Sequence, residues 1–180
     1  LGSGLIGLLH IKLARAPGAG TIIATDVHEY RFRTAERFGA DHAVDAAEDI
    51  SAVVAEVNGG RLADKVVVST GSPAAAQTGL MSVEKGGSVL FFAVPKPEVH
   101  LDVDINAFWR DSKSIKVSYA ASPLDNAQAL ELIRSGRVEV ADMVTHRLPL
   151  DRIGEGFRLT CEGTQSLKVI MEPNSATEGT

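Results

Sequence analysis

The first residues of the chain carry a spacing of glycines that suits phosphate binding. Gly2, Gly4 and Gly7 form a Gly-x-Gly-x-x-Gly pattern. In that pattern the first glycine permits a tight turn, the second lets the backbone approach a diphosphate, and the third lets a helix pack close to a sheet. Leu5 and Ile6 open the helix that follows, so their amides and the positive end of the helix dipole would face the phosphates. The pattern predicts a dinucleotide-binding turn, although such turns also serve purely structural purposes.

An acidic residue stands where such a turn needs one. A strand-like run from Thr21 to Thr25 leads into Asp26, which follows Gly7 by 19 positions. This is close to the roughly 20 at which a carboxylate binds the adenosine ribose hydroxyls. A carboxylate there repels a 2′-phosphate, so Asp26 favours NAD over NADP. Arg31 and Arg33 keep NADP as an alternative, and a surface acid that merely ends a strand is the other interpretation of Asp26.

The composition excludes several other functions. A net charge of −5 without any basic run argues against a nucleic-acid surface. No apolar run approaches the roughly 18 residues that span a bilayer, so we expect no membrane partner. The five histidines and the single cysteine show no metal-ligand spacing. Cys161 alone can form neither an internal disulfide nor a multi-cysteine metal site, and we expect a cytoplasmic protein.

Alternating strands and helices are expected to position the turn. The periodicity predicts helices over 28–38, 48–57 and 73–83, with strands over 42–45, 65–69 and 88–94. This alternation predicts an α/β fold with a doubly wound parallel sheet of the Rossmann type. The strand before the glycine turn is the central one of such a sheet, and only Leu1 of it is present. We therefore expect a sheet that lacks most of its first strand, in the C-terminal part of a longer polypeptide.

The rhythm changes beyond Pro95. A short helix over 105–110 and a half-exposed strand over 115–119 complete the predicted sheet. Ser122, Pro123 and Asp125 then form a helix start with a hydroxyl cap, a proline at the first position and an acid three residues after the cap. A strand over 144–148, a helix over 151–159 and a strand over 167–171 follow. We expect the tail, 173–180, to be disordered.

The order of these motifs points to one family. They are the glycine turn, Thr25-Asp26, the stretch from Arg31 to Asp41, Thr70-Gly71-Ser72, Gly86-Gly87 before a strand ending in Ala93-Val94-Pro95, and Val144 to Leu150. Together they resemble the zinc-dependent medium-chain alcohol dehydrogenases, nearest the polyol branch with sorbitol and threonine dehydrogenases. The resemblance covers residues 1 to 172, which is nearly the whole chain.

The resemblance implies a set of coenzyme contacts. Gly2, Gly4 and Gly7 match the family's phosphate-binding turn and Asp26 its ribose acid. Further matches are Arg31 beside the adenosine ribose, Gly71 beside the nicotinamide ribose, the backbone of Phe92 to Val94 at the carboxamide, and Lys168 against the pyrophosphate. Arg31 and Lys168 could instead be ordinary solvated side chains, and Phe92 and Val94 are core residues first.

The resemblance also implies a catalytic domain with a zinc site, which these residues do not supply. In this family an N-terminal GroES-like barrel carries the catalytic zinc, so no catalytic or metal-binding residue can be assigned here. Residues 1–121 would form most of the coenzyme domain, and residues 122–172 would return the chain to that catalytic domain. Hydride would pass between a secondary alcohol or polyol and NAD. We expect the 180-residue piece alone to be inactive. The edge strand from Ile115 to Tyr119 would pair with its two-fold mate in a homodimer.

Two other functions are open at this point. A non-catalytic NAD-sensing Rossmann module would use the same turn and the same acid, because fold alone does not fix function. Such a sensor has no need of the elements over 122–172. A zinc-free quinone reductase would normally use NADPH and would lack an acid at the position of Asp26. The sensing module is therefore the stronger alternative.

Overall fold

The computed structural model describes residues 1–173, so the disorder predicted for the tail concerns residues outside this range apart from Pro173. Within it the elements are α1 (Leu5–Arg15), β1 (Ile23–Asp26), α2 (Glu29–Arg37), β2 (His42–Asp45), α3 (Ile50–Val57), β3 (Ala63–Val68), α4 (Pro73–Met81), β4 (Val83–Phe91), α5 (Ile105–Arg110), β5 (Ser114–Val117), α6 (Pro123–Arg134), β6 (Val144–Pro149), α7 (Ile153–Glu162) and β7 (Lys168–Glu172). Over these residues, no helix is both long enough and apolar enough to cross a membrane.

All strand pairs are parallel. β1 pairs with β2, β3 with β4, β4 with β5, and β6 with β7. Leu1 lies between β1 and β3. Its amino group donates to the Val67 carbonyl over 2.7 Å, its carbonyl accepts from the Ser69 amide over 2.8 Å, and the Gly2 amide donates to the Thr25 carbonyl over 2.9 Å. The spatial order is therefore β2, β1, Leu1, β3, β4, β5, which confirms the doubly wound sheet that lacks most of its first strand.

A cavity of about 740 Å³ continues the gap between β1 and β3. Residues 22–25 line one side of it and residues 63–67 line the other. Because backbone groups alternate along a strand, the groups of Ile23 and Val67 point into this gap. Leu1 and Gly2 are thus the residues of this chain that hydrogen-bond to β3 and β1 across the gap.

Helices cover both faces of the sheet. Ala24 belongs to a core cluster with Leu8 of α1 and Ala35 of α2. Its neighbour Ile23 packs instead with Ile50 of α3 in a second cluster. Successive residues of a strand point to opposite faces, so α1 and α2 lie on one side of the sheet and α3 on the other. This two-sided packing explains why the strands are apolar almost throughout.

The C-terminal elements begin at the predicted helix cap. Ser122 accepts a hydrogen bond from the Asp125 amide, and the Asp125 carboxylate accepts one from the Ser122 amide, so α6 begins with a capping box. β6 and β7 form their own two-stranded sheet, with α7 between them along the chain. Met143, which precedes β6, and Leu167, which precedes β7, pack against the cluster under α1. The segment therefore contacts the coenzyme half beside the glycine turn.

Several element boundaries differ from the prediction. The helix predicted to reach Val83 ends at Met81, and β4 begins at Val83 instead of Ser88, because Val83 is fully buried and pairs with Ala63. Gly86 and Gly87 consequently lie inside the strand, next to a shift of register between β3 and β4. The predicted strand over 115–119 is also wrong in its bounds.

The edge strand runs from Ser114 to Val117. The Ser118 amide still donates to the carbonyl of Phe91, but β4 ends there and offers no later partner. Ala120 then adopts a positive φ of 62°, which takes the chain away from the sheet. Tyr119 therefore lies beyond the strand, although Ile115 and Val117 lie on its exposed length.

Candidate functional site

The glycine turn is shaped by contacts that a larger residue would break. Gly2 has a φ of +86°, and a Cβ on it would lie 3.1 Å from the Cβ of Thr70. A Cβ on Gly7 would lie 1.9 Å from the carbonyl oxygen of Gly2, far inside van der Waals contact. The first glycine is therefore required for the backbone conformation, and the third for the close approach of α1 to the turn.

The second glycine faces open space. Gly4 is the N-cap of α1, with an extended φ of −67° and ψ of −174° that any residue can adopt. A Cβ there would meet no described atom within 4 Å. The first-turn amides, including those of Leu5 and Ile6, have no acceptor within the helix, and no acidic side chain occupies that turn. An open cradle in front of free amides at a helix N-terminus fits a diphosphate.

Asp26 lies directly beside the turn. Its side chain is buried, with the Oδ2 atom accepting a hydrogen bond from the Ser3 amide over 2.8 Å and the Oδ1 atom accepting one from the His28 amide over 3.0 Å. The Ser3 hydroxyl in turn donates to the Thr25 carbonyl over 3.0 Å. The carboxylate at the end of β1 is thus held against the backbone that opens α1.

Arg31 lies between Asp26 and the C-terminal segment. Its Nη1 atom is 3.8 Å from Asp26 Oδ2, and its Nε atom donates to the Gly163 carbonyl over 3.3 Å. The neighbouring Tyr30 hydroxyl donates to the Gln165 carbonyl over 3.4 Å. Arg31 can therefore offer positive charge next to a ribose bound at Asp26 while it stays tied to the loop after α7.

The other predicted contacts lie on the opposite side of the turn. Gly71 follows Thr70, which packs on Gly2, and a Cβ on Gly71 would lie 3.4 Å from the Val94 carbonyl. The side chain of Val94 is largely exposed. The ends of β3 and β4 therefore lie along the same edge of the sheet as Asp26 and Arg31. Along the carboxyl edge of the sheet the structure brings together the predicted residues of the glycine turn with Asp26, Arg31, Gly71, Phe92 and Val94, and Phe92 directly follows β4 there.

Phe92 makes a contact that the sequence did not predict. Its ring packs edge-on against His10 of α1, with the ring centroids 4.6 Å apart. Within the described residues the His10 Nε2 atom is buried without a hydrogen-bond partner. Burial, followed by the nearby N-terminal amine, lowers the pKa of His10 below its usual value. His10 and Phe92 form an apolar contact between α1 and the end of β4.

Lys168 lies at the start of the last strand of the described chain. It is the first residue of β7, and its side chain is exposed and makes no ion pair within residues 1–173. Leu167, its neighbour, packs against the cluster that includes Leu5 and Leu8 of α1. Lys168 therefore begins the strand whose preceding residue packs against the α1 cluster.

Four residues of the site were missed from the sequence. They are Ser3 and His28, which donate amides to Asp26, Thr70, which packs on Gly2, and Gly163, whose carbonyl accepts from Arg31. The first two act through backbone amides, which every residue type except proline possesses, so residue type gave no signal. Within the described part of the chain, no group of three His, Cys, Asp or Glu residues is arranged to hold a metal ion.

Comparisons with known proteins identify the family of the chain. The model of the family described as zinc-binding dehydrogenase matches residues 6–135. The L-threonine 3-dehydrogenase of Bacillus subtilis (strain 168) is 32% identical over 174 residues, which is 96% of this chain and 50% of that protein. The chain spans about half the length of the curated relatives it matches.

Solved structures share the fold. The 2R,3R-butanediol dehydrogenase of Bacillus subtilis superimposes with a TM-score of 0.84 at 28% identity, covering 96% of this chain and 49% of that one. The benzyl alcohol dehydrogenase of Acinetobacter calcoaceticus gives a TM-score of 0.85 at 25% identity, covering 94% and 47%. The architecture deduced from strand order is thus that of solved dehydrogenases over nearly all of the chain.

Proposed function

Because the chain belongs to the zinc-binding dehydrogenase family, we propose that it is the coenzyme-binding part of an NAD-dependent alcohol or polyol dehydrogenase. The observation that carries the proposal is the hydrogen bond from the Ser3 amide to Asp26 Oδ2. It joins the glycine turn to the acid at the end of β1. Amides suited to phosphate and a carboxylate suited to ribose hydroxyls thus share one edge of the sheet, where doubly wound folds bind dinucleotides.

The substrate class follows from the relatives. L-Threonine 3-dehydrogenase and 2R,3R-butanediol dehydrogenase are, by their names, enzymes of secondary alcohols. We infer that the protein containing this chain oxidises a secondary alcohol or a polyol. Bound NAD would accept the hydride, and a zinc ion would polarise the alcohol oxygen.

The chain's own residues would bind and orient the coenzyme. The amides that follow Gly4 would donate to the diphosphate, and Asp26 would accept from the adenosine ribose. Arg31 would lie beside that ribose, and Lys168 would add positive charge near the diphosphate. At the other end, Gly71 and the backbone from Phe92 to Val94 would line the nicotinamide half. None of these residues takes or gives a proton in this proposal.

NAD is the preferred coenzyme in this proposal. Asp26 is a buried carboxylate with two amide donors already in place, so a 2′-phosphate would meet a fixed negative charge. Arg31 supports the NADP alternative, because its guanidinium lies close enough to pair with such a phosphate. The net preference therefore depends on the balance between these two side chains.

The zinc site and the domain division remain proposals. We place the zinc ligands in the half of the relatives that this chain does not match. Residues 1–121 would form the coenzyme domain, and residues 122–172 would lead to the GroES-like catalytic domain. By itself the 180-residue chain would bind NAD without oxidising alcohols. A single exposed cysteine is compatible with a cytoplasmic location.

A homodimer through the edge of the sheet is part of the same proposal. β5 is the outermost strand of its sheet, and Val117 is 80% exposed on it. An unpaired edge with apolar side chains favours pairing with a second copy. A two-fold axis beside β5 would then make one sheet across two subunits.

The experiment that tests the proposal is isothermal titration calorimetry of the full-length protein with NAD, NADP and ADP-ribose. We expect NAD and ADP-ribose to bind with similar affinity and NADP at least ten-fold more weakly. No binding of ADP-ribose would overturn the proposal. NADH formation that depends on added secondary alcohol separates the dehydrogenase from the sensing module, which would bind NAD and form none.

A further inference from the structure

The loop that follows α7 reaches the adenosine side of the site. Gly163 ends α7 in the left-handed conformation, with φ +58° and ψ 17°, and its amide donates to the Leu159 carbonyl over 3.1 Å. The Ser166 hydroxyl donates to the same carbonyl over 2.6 Å, which holds the loop against α7. Through the Gln165 and Gly163 carbonyls this loop contacts Tyr30 and Arg31 of α2.

Gly163 leaves room for the Arg31 guanidinium. A Cβ at position 163 would lie 2.6 Å from Arg31 Nη2 and 3.7 Å from Arg31 Cζ. The shorter distance is one that real Cβ contacts essentially never show. The atom that would be displaced is the tip of a flexible side chain, so a substitution there would move Arg31 and leave the fold in place.

We propose that Gly163 is a positioning residue for the coenzyme: by accepting from Arg31 and carrying no side chain, it holds the guanidinium beside Asp26 at the adenosine ribose. This inference rests on the proposed function and extends it to a residue of the C-terminal segment. Arg31 then has two fixed neighbours, Asp26 Oδ2 at 3.8 Å and the Gly163 carbonyl at 3.3 Å. The docking of the loop on α2 and the placement of the Arg31 guanidinium therefore depend on the same hydrogen bond.

The chain offers a matched control for the strain of the substitution. Gly136 follows the end of α6 with a φ of +71°, and a Cβ on it would meet no described atom within 4 Å. Alanine at either position carries the same kind of penalty for the left-handed backbone conformation. Only alanine at position 163 also displaces Arg31, so a comparison of the two variants isolates the contact.

The test measures NAD affinity by calorimetry in full-length Gly163→Ala, Gly136→Ala, Arg31→Ala and the Arg31→Ala/Gly163→Ala double variant. We expect about five-fold weaker binding for Gly163→Ala and an unchanged affinity for Gly136→Ala. In the Arg31→Ala background, Gly163→Ala should change the affinity by less than two-fold, because the displaced group is gone.

A second readout needs no coenzyme. The Arg31 Nε–H proton should be protected from solvent exchange in the wild type and in Gly136→Ala. This protection should be lost in Gly163→Ala. Equal NAD affinity of Gly163→Ala and wild type would overturn the inference. It would also be overturned if Gly163→Ala reduced NAD affinity by the same factor in the presence and in the absence of Arg31. If the wild type bound neither NAD nor ADP-ribose, the proposed function itself would be wrong. That result differs from equal NAD affinity of Gly163→Ala and wild type, which would contradict only the role of Gly163.

Discussion

The Ser3 amide donates to Asp26 Oδ2 over 2.8 Å, and this contact ties the acid at the end of β1 to the turn that opens α1. The two residues are 23 positions apart in the chain. Because the carboxylate is buried and held by two amides, its place relative to the cradle at Gly4 is set before any ligand binds. Preorganisation of this kind reduces the entropy cost of binding.

The first prediction concerns coenzyme choice. Asp26→Asn keeps an oxygen that can accept from the Ser3 amide but removes the charge that opposes a 2′-phosphate. We expect NAD to bind about ten-fold more weakly, since a charge-assisted hydrogen bond is worth roughly 1.5–3 kcal/mol. NADP should bind more tightly than in the wild type, because Arg31 is then free to pair with its phosphate. Calorimetric titrations with both nucleotides check this, and an unchanged NAD to NADP ratio would argue against a role for Asp26 in the choice.

The second prediction concerns the stability of the turn. Gly7→Ala puts a Cβ 1.9 Å from the Gly2 carbonyl oxygen, and both atoms belong to backbone or are attached to it. We expect a loss of about 3–5 kcal/mol in the free energy of unfolding, or failure to fold. Gly20→Ala is the matched control, because its Cβ would meet no described atom within 4 Å. Urea denaturation compares the two, and equal midpoints would contradict the geometry of the turn.

The third prediction concerns pH. In the isolated 180-residue chain Leu1 carries a free amino group, and burial lowers the pKa of that group from 8.0 to about 6, with Asp26 opposing the shift. Between these values the unfolded chain binds more protons than the folded one, so stability rises with pH from about 6 to about 8. A two-unit shift corresponds to about 2–3 kcal/mol.

The measurement is urea denaturation of the 180-residue chain at pH 5.5, 7 and 8.5, with and without N-terminal acetylation. His10, whose pKa is also lowered, adds a change in the same direction. Acetylation removes the titrating amine, and the cavity beside Leu1 gives the acetyl group space. A stability that falls between pH 6 and 8 in the unmodified chain would contradict the buried position of this amine.

The fourth prediction concerns assembly. The Ser118 amide donates towards β4, so by alternation the amide of Val117 points to the open edge. Val117→Pro removes that outward donor while the pairing with β4 remains. We expect the dimer dissociation constant, measured by sedimentation equilibrium, to rise at least ten-fold. Val117→Ala keeps the amide and serves as control; a monomeric wild type at micromolar concentration would rule the dimer out.

Much of the fold was predictable because local signals and the global pattern agree. The capping box at Ser122 and Asp125 and the buried strands around Val68 and Val89 are confirmed. The start of β4 was missed, since Gly86 and Gly87 mark a turn in most sequences. Here they lie within a strand because Val83, fully buried, pairs with Ala63, and that pairing is a tertiary contact with no local signature.

The site was only partly predictable for a similar reason. Residue type and spacing identify Gly2, Gly7 and Asp26, because their roles depend on a missing side chain or on a charge. Gly163 contributes a carbonyl and an absent Cβ, and it lies 132 positions from the Arg31 that it contacts. Long-range contacts of that kind depend on how two segments dock, which periodicity does not report.

The central claim is that the open face at Gly4 receives a diphosphate. Gly4→Ala tests it directly, because the extended backbone accepts alanine and its Cβ would meet no described atom within 4 Å. Calorimetric titration of the full-length wild type, Gly4→Ala and the Gly20→Ala control with ADP-ribose is the measurement, with melting curves recorded alongside. We expect at least ten-fold weaker binding for Gly4→Ala, with stability within about 1 kcal/mol of wild type; wild-type affinity in a folded Gly4→Ala protein would show that no diphosphate binds at this face.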